Sequence, residues 1–237
     1  ALGAGSGPLN LTVADWDRAL ASTSLTVRES FMRDHIATHG EYKDFVSFLY
    51  KDLDRGIFAL QAGRELLQND SEDRLTADLM RQMRQLGYRA VHDSKTGGHV
   101  DLAIELGRYS WIGEAKKDGN FNEGLLQLTT RYVPASGDYS HNAGGLLFYL
   151  VSTKDALAKI EAWMEELKGK AACEKCSTNP LAFFSELKLE GSGTMFRVRT
   201  MGVSLYHKPE DKAARAKEAR KAAKAGGRKS PPAAKNG

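Results

Sequence analysis

Twelve residues separate Asp101 from Glu114-Ala115-Lys116, in the run GGHVDLAIELGRYSWIGEAKK. Two carboxylates and one ammonium at that spacing can hold a divalent cation and activate a water molecule. Mg²⁺ takes oxygen ligands in an octahedron at about 2.0–2.1 Å and retains several waters. Asp101, Glu114 and the backbone carbonyl of Ala115 would leave positions for water and for a phosphate oxygen. A cation held there lowers the pKa of its water and polarises a phosphoryl group. Lys116 would orient the attacking water or offset charge in the transition state. Its ammonium also relieves the repulsion between the two acids.

The flanking pattern says how these groups would be positioned. Val100, Leu102, Ile104 and Leu106 alternate with Asp101, Ala103 and Glu105, so Asp101 faces away from the apolar side of a strand over 99–106. A turn over 107–110 returns the chain as a second strand, 111–117. Glu114 and Lys116 lie two apart on it and share a face. Trp111, Ile112, Gly113 and Ala115 surround Glu114 with apolar or small residues. Upstream, Leu75, Leu79, Met83 and Leu86 predict a helix over 72–86, closed by Gly87. A strand over 88–92 and a turn over 93–98 follow. Downstream, the pattern predicts a helix over 121–133. On it Glu123, Gln127 and Arg131 recur every four residues, beside a stripe of Leu125, Leu128 and Tyr132. A loop over 134–145, a buried strand over 146–151 and a helix over 154–167 complete the stretch.

From about residue 72 to about 151 the order is helix, strand, hairpin, helix, strand. This order, with Asp101 and Glu114-Ala115-Lys116 on the hairpin, resembles the core of the PD-(D/E)XK nuclease superfamily, the fold of many restriction endonucleases. Val100, rather than proline, precedes Asp101. The resemblance implies a restriction-endonuclease-like α/β fold, with a mixed central sheet flanked by helices. It implies Mg²⁺ or Mn²⁺ bound by Asp101 and Glu114, a catalytic Lys116, an acidic residue on the first helix (Glu72) and a glutamine on the following helix (Gln127). The implied activity is hydrolysis of phosphodiester bonds in nucleic acid, DNA ahead of RNA. Glu72 has a second reading. Ser71 reads as an N-cap, which puts Glu72 in the first helical turn, where the helix dipole favours an acid whatever its function. Two alternatives stand beside the enzyme: a nuclease-like module that binds nucleic acid without cutting, and a domain that binds small molecules or proteins.

Charge distribution bears on the partner. Lysine and arginine number 34 against 30 aspartate and glutamate, a net +4. Ten basic and three acidic residues fall in 208–237, so that tail carries +7 and the remainder −3. Lys117 and Arg131 near the core, and Lys212, Arg215, Arg220 and Lys221 in the tail, are candidate phosphate contacts. The tail cannot build a core and reads as a frayed helix running into disorder. Residues 1–10 read as a linker or scar, 11–68 as a helical N-terminal region, and 69–207 as the nuclease-like domain. Within 11–68, helices are expected at 13–20 after a Thr12 cap, at 26–38 before Gly40, and at 41–53, with Gly56 interrupting before a resumption to 67. His35 and His39, four apart, read as a surface helix pair. Strands are expected from 181 to 207, around Gly191-Ser192-Gly193.

Cys173-x-x-Cys176 supplies half of a four-ligand zinc site and reads as a turn without metal, although a homodimer could bring two such pairs together. No run approaches the ~18 apolar residues of a membrane span. With no export signal and two cysteines, a reducing cytoplasm is the expected location.

Overall fold

Alternating apolar residues between 89 and 117 produce three consecutive strands, β1 (Arg89–Ser94), β2 (Val100–Leu106) and β3 (Tyr109–Lys117). In the computed structural model, residues 12–94, 100–132, 142–190, 192–209 and 215–221 are described. The three strands form an antiparallel meander. The next strands are β4 (Ala143–Leu150), β5 (Ala172–Lys175), β6 (Ala182–Lys188) and β7 (Met195–Ser204). All seven form one mixed sheet in the order β1-β2-β3-β4-β7-β6-β5, with β3, β4 and β7 parallel to one another. The chain is thus an α/β protein whose sheet is flanked by helices.

Each face of the sheet has its own helical cover. Helices α1 (Val13–Leu20), α2 (Leu25–His39), α3 (Tyr42–Ala62), α4 (Arg64–Leu67) and α5 (Glu72–Gln85) precede the sheet. From α3 and α5, Phe45, Leu49, Leu53, Leu75, Leu79 and Met83 pack with Leu102, Ile104, Trp111, Leu147 and Tyr149. On the other face, α6 (Phe121–Gln127) and α7 (Ala156–Lys168) bring Phe121, Ile160, Trp163 and Leu167 against Leu146, Phe148, Phe196 and Val198. β4 is covered on both sides, which is why its eight residues are all buried and its sequence is apolar without alternation. The N-terminal helices therefore do not stand apart from the sheet. Helices α2 to α5 contribute to its core, and all five belong to the unit that ends at Tyr206.

Several boundaries differ from expectation, each for a physical reason. Gly56 does not interrupt α3. A Cβ there would stand 2.5 Å from Leu79 Cδ1, so its absence lets α3 and α5 approach, and the helix runs on to Gly63. The hairpin turn is two residues long, Gly107-Arg108, with Gly107 at φ +58. Tyr109 and Ser110 already pair with Leu106 and Glu105. A glycine first in a two-residue loop supplies the positive φ that a tight hairpin requires. β4 begins at Ala143, so Gly144 and Gly145 belong to a strand, where the rings of Phe196 and Trp111 fill the space a Cβ would take. α6 stops at Gln127 and passes into a π-helical turn, Leu128–Tyr132. Recurrence there follows i+5, so the four-residue stripe expected through Arg131 is not continued. Cys173 lies in β5, not in a turn.

The cap at Thr12, the stop at Gly40 and the cap at Ser71 form as expected. His35 and His39 are exposed on α2 with their rings stacked at 5.5 Å. Positions 95–98 of the expected turn, 99 of the expected strand, 133 of the expected helix and 134–141 of the expected loop lie outside the described residues. In the C-terminal unit, 215–221 is helical with exposed side chains, while Lys212 and 222–237 lie outside them. Among the described residues no helix is long and apolar enough to cross a membrane.

Candidate functional site

The β2–β3 ladder carries its last paired positions at Leu102 and Gly113. One step further, the N–H of Ala115 donates to Asp101 Oδ2 at 3.0 Å, so a side chain takes over from the backbone partner. Asp101 and Glu114 face one another where the two strands part. Alternation along β3 sends Trp111 and Ala115 into the core shared with α3 and α5, and turns Glu114 and Lys116 toward α6. Gly124 lies directly above them. A Cβ on it would stand 3.4 Å from Lys116 Cγ and 3.8 Å from Glu114 Cγ. The glycine lets α6 close over both side chains. Its position inside an amphipathic helical run was the available signal for it.

Lys116 Nζ donates to Glu114 Oε1 at 2.5 Å and stands 4.0 Å from Asp101 Oδ2. Glu114 is only 2 % exposed, and its Oε2 has no hydrogen-bond partner among the described residues. Burial pushes the Glu114 carboxyl up to about 7. The Lys116 ammonium opposes that rise and the neighbouring Asp101 charge adds to it. Burial alone would lower the Lys116 pKa, but its bond to Glu114 and the charges of Asp101 and Glu72 hold it above the ordinary lysine value.

Glu72 reaches the same region from the start of α5. Its Oε2 accepts the backbone N–H of Lys117, which ties the first turn of α5 to the end of β3. Burial raises its pKa, against the Lys117 N–H and the Lys116 charge. The Ser71 cap is also present, with Oγ accepting from Arg74 N at 3.2 Å, so Glu72 sits in the first turn of a capped helix as well as beside the end of β3. Lys117 Nζ donates to the Asp70 carbonyl at 2.5 Å, which engages the ammonium expected to meet phosphate.

Asp118 was not anticipated. It adopts φ +47, donates its N–H to Tyr149 O at 3.0 Å, and accepts from Val151 N and Ser152 N through Oδ1 at 3.0 and 3.2 Å. Aspartate tolerates this left-handed conformation better than most residues, and the local bonds hold it there. The contact clamps the ends of β3 and β4 just past Lys116. Gln127 stays within its own helix, with Nε2 donating to Glu123 Oε1 at 3.3 Å and Oε1 shielded from solvent without a partner among the described residues. The arrangement therefore gathers Asp101, Glu114, Lys116 and Glu72, with no hydrogen bond from Gln127 to any of them. The Arg131 side chain lies outside the described residues, and Arg215, Arg220 and Lys221 are exposed on helix 215–221.

Among the described residues no three His, Cys, Asp or Glu side chains converge as a cation site. The donor set at the splayed strands is two carboxylates, both oxygen ligands, one of them holding a buried unpaired oxygen. That chemistry suits a hard divalent ion that keeps part of its water shell. The two cysteines cannot join in a site within one chain. Both are free, and Cys173 packs beside the core under α7 whereas Cys176 packs beside the core under α3, on the opposite face of the sheet. No family model, no curated protein and no solved structure matches the chain significantly.

Proposed function

We propose that this chain is a metal-dependent phosphodiesterase that cuts nucleic acid, DNA in preference to RNA, on a restriction-endonuclease-like fold. One observation carries the reading: Asp101, Glu114 and Lys116 meet where β2 and β3 part, with Glu114 buried and one of its oxygens unpaired among the described residues. The succession α5, β1, the β2–β3 hairpin, α6 and β4 supports it, since it is the order that the PD-(D/E)XK resemblance implies.

Asp101 and Glu114, with the Ala115 carbonyl, would hold Mg²⁺ or Mn²⁺, which when bound supplies an acidified water and a polarised phosphoryl oxygen. Lys116 keeps its proton at Nζ and presents a fixed positive charge between the two carboxylates. There it can orient the attacking water and offset charge developing on phosphorus. Glu72 and Asp118 act on position rather than on substrate, by holding the end of β3 against α5 and β4. Gly124 lets α6 cover the site and exclude water from Glu114. The exposed cations of the tail, Arg215, Arg220 and Lys221 among them, would add sequence-independent attraction to phosphates.

The purified chain should be incubated with supercoiled plasmid, single-stranded DNA and RNA, in Mg²⁺, Mn²⁺ or EDTA. Products with either cation and none in EDTA support the proposal. Retarded nucleic acid without cleavage selects the non-cleaving module. Absence of both cleavage and retardation would refute a nucleic-acid role.

A further inference from the structure

Asp101 and Glu114 already hold a positive charge between them. Lys116 Nζ bonds Glu114 Oε1 at 2.5 Å and stands 4.0 Å from Asp101 Oδ2, so the ammonium is within ion-pair reach of both acids. All three side chains are largely enclosed: Asp101 is 27 % exposed, Lys116 20 % and Glu114 2 %. Charges enclosed in this way act on one another more strongly than in water, and salt screens them less. The partners are also held in place. Asp101 Oδ2 accepts the Ala115 N–H at 3.0 Å. Two glycines flank the lysine stem. A Cβ on Gly119 would stand 3.1 Å from Lys116 Cβ and 3.6 Å from its Cγ, and one on Gly124 would stand 3.4 Å from Cγ. The turn after β3 and helix α6 thus lie against the inner half of the side chain, and motion of the ammonium falls to its outer bonds.

A divalent ion held by these carboxylates has to contend with that ammonium. It can take Glu114 Oε1 only by displacing Lys116 from it. It can take Oε2, which has no hydrogen-bond partner among the described residues, while Lys116 stays bonded to the other oxygen of the same carboxylate. In either arrangement the two cations draw on the same two negative charges and repel one another. We propose that Lys116 sets the affinity of the site for its divalent ion, acting as a built-in competing cation that holds this affinity down. The inference rests on the reading of Asp101 and Glu114 as the ion's ligands. Lys116 then has two opposed effects in one place. Its charge offsets the charge developing on phosphorus, and the same charge raises the cation concentration at which the site fills.

The test titrates Mn²⁺ into the full chain at pH 8 without nucleic acid, with free Mn²⁺ read by electron paramagnetic resonance. Lys116→Met keeps an unbranched stem and removes the charge, and should tighten binding roughly tenfold or more, as expected for a unit charge ~4 Å from the ligands of a partly enclosed site. Lys116→Gln, also neutral, should tighten it too. Lys116→Arg keeps the charge and should bind no more tightly than the wild type. Glu114→Gln should lose the bound ion, which identifies the site being measured. Damage to the fold would loosen binding, so tightening in a neutral variant cannot arise from it. Equal or weaker binding in both neutral variants, with the ion still lost in Glu114→Gln, would overturn the proposal and leave the carboxylate reading standing. Binding unchanged by Glu114→Gln, or absent from every protein in the series, would remove both.

Discussion

Glu114→Gln isolates the electrostatic cost built into the carboxylate site. Glu114 titrates near 4.5 in the unfolded chain and at about 7 in the fold, chiefly because it is buried, with Asp101 of β2 adding to the rise and Lys116 of β3 opposing it. A raised carboxyl pKa means that the fold prefers the protonated acid. The preference is fully present below about pH 4.5 and is lost as pH rises through about 7. At 1.36 kcal/mol per pKa unit, the wild type should lose about 3 kcal/mol from this group between acidic pH and pH 8. For a chain of this size that is roughly 6–12 °C in Tm. Glutamine cannot ionise, so the difference in stability between variant and wild type should move in the variant's favour by about 2.5 kcal/mol from pH 5 to pH 8, the remainder falling below pH 5. Urea unfolding of both proteins at half-unit pH steps, in EDTA, measures it. Lys116 and Glu72 remain in both proteins and largely cancel in the difference. A gap between the two that does not change with pH would refute the argument, because it would mean that burial leaves the Glu114 charge unpenalised. Mg²⁺ at pH 8 should raise the Tm of the wild type and leave the variant nearly unmoved.

Asp101→Ala and Lys116→Ala should each reduce metal-dependent cleavage by on the order of 10²-fold or more, with unchanged circular dichroism. Glu72→Ala should lower unfolding free energy by about 1–3 kcal/mol, since it leaves the Lys117 N–H unpaired at the α5–β3 junction; urea midpoints report it. Gly56→Leu should destabilise by about 1–3 kcal/mol or more, because α3 and α5 must separate to relieve the contact with Leu79. Truncation after His207 removes +7 of charge, and should flatten the dependence of log DNA affinity on log salt by several units without altering turnover at saturating substrate.

The hairpin and its polar face were readable because period-two alternation leaves Asp101, Glu114 and Lys116 a single side to occupy. Caps at Thr12 and Ser71 were readable because they act within four residues. What escaped depends on contacts distant in sequence. Gly56 and Gly144 look like breaks until Leu79 and Phe196 are seen occupying the space beside them. The π-helical turn after Gln127 leaves no mark in a pattern built on 3.6 residues per turn. Asp118 reads as an ordinary loop acid, because its partners Val151 and Ser152 lie more than thirty residues away. The engagement of Lys117 by Asp70 likewise joins two elements that the sequence separates.

Three carboxylates and one ammonium share the region where β2 and β3 part, so the site is anionic before any cation arrives. A phosphate-bearing ligand approaching it meets repulsion that a divalent ion would remove. Affinity for the ion and affinity for the phosphate are then linked, and thermodynamic reciprocity requires each to raise the other by the same factor. Such a site would stay closed to nucleic acid at low cation concentration, and would draw in its metal more strongly once a strand is already in place.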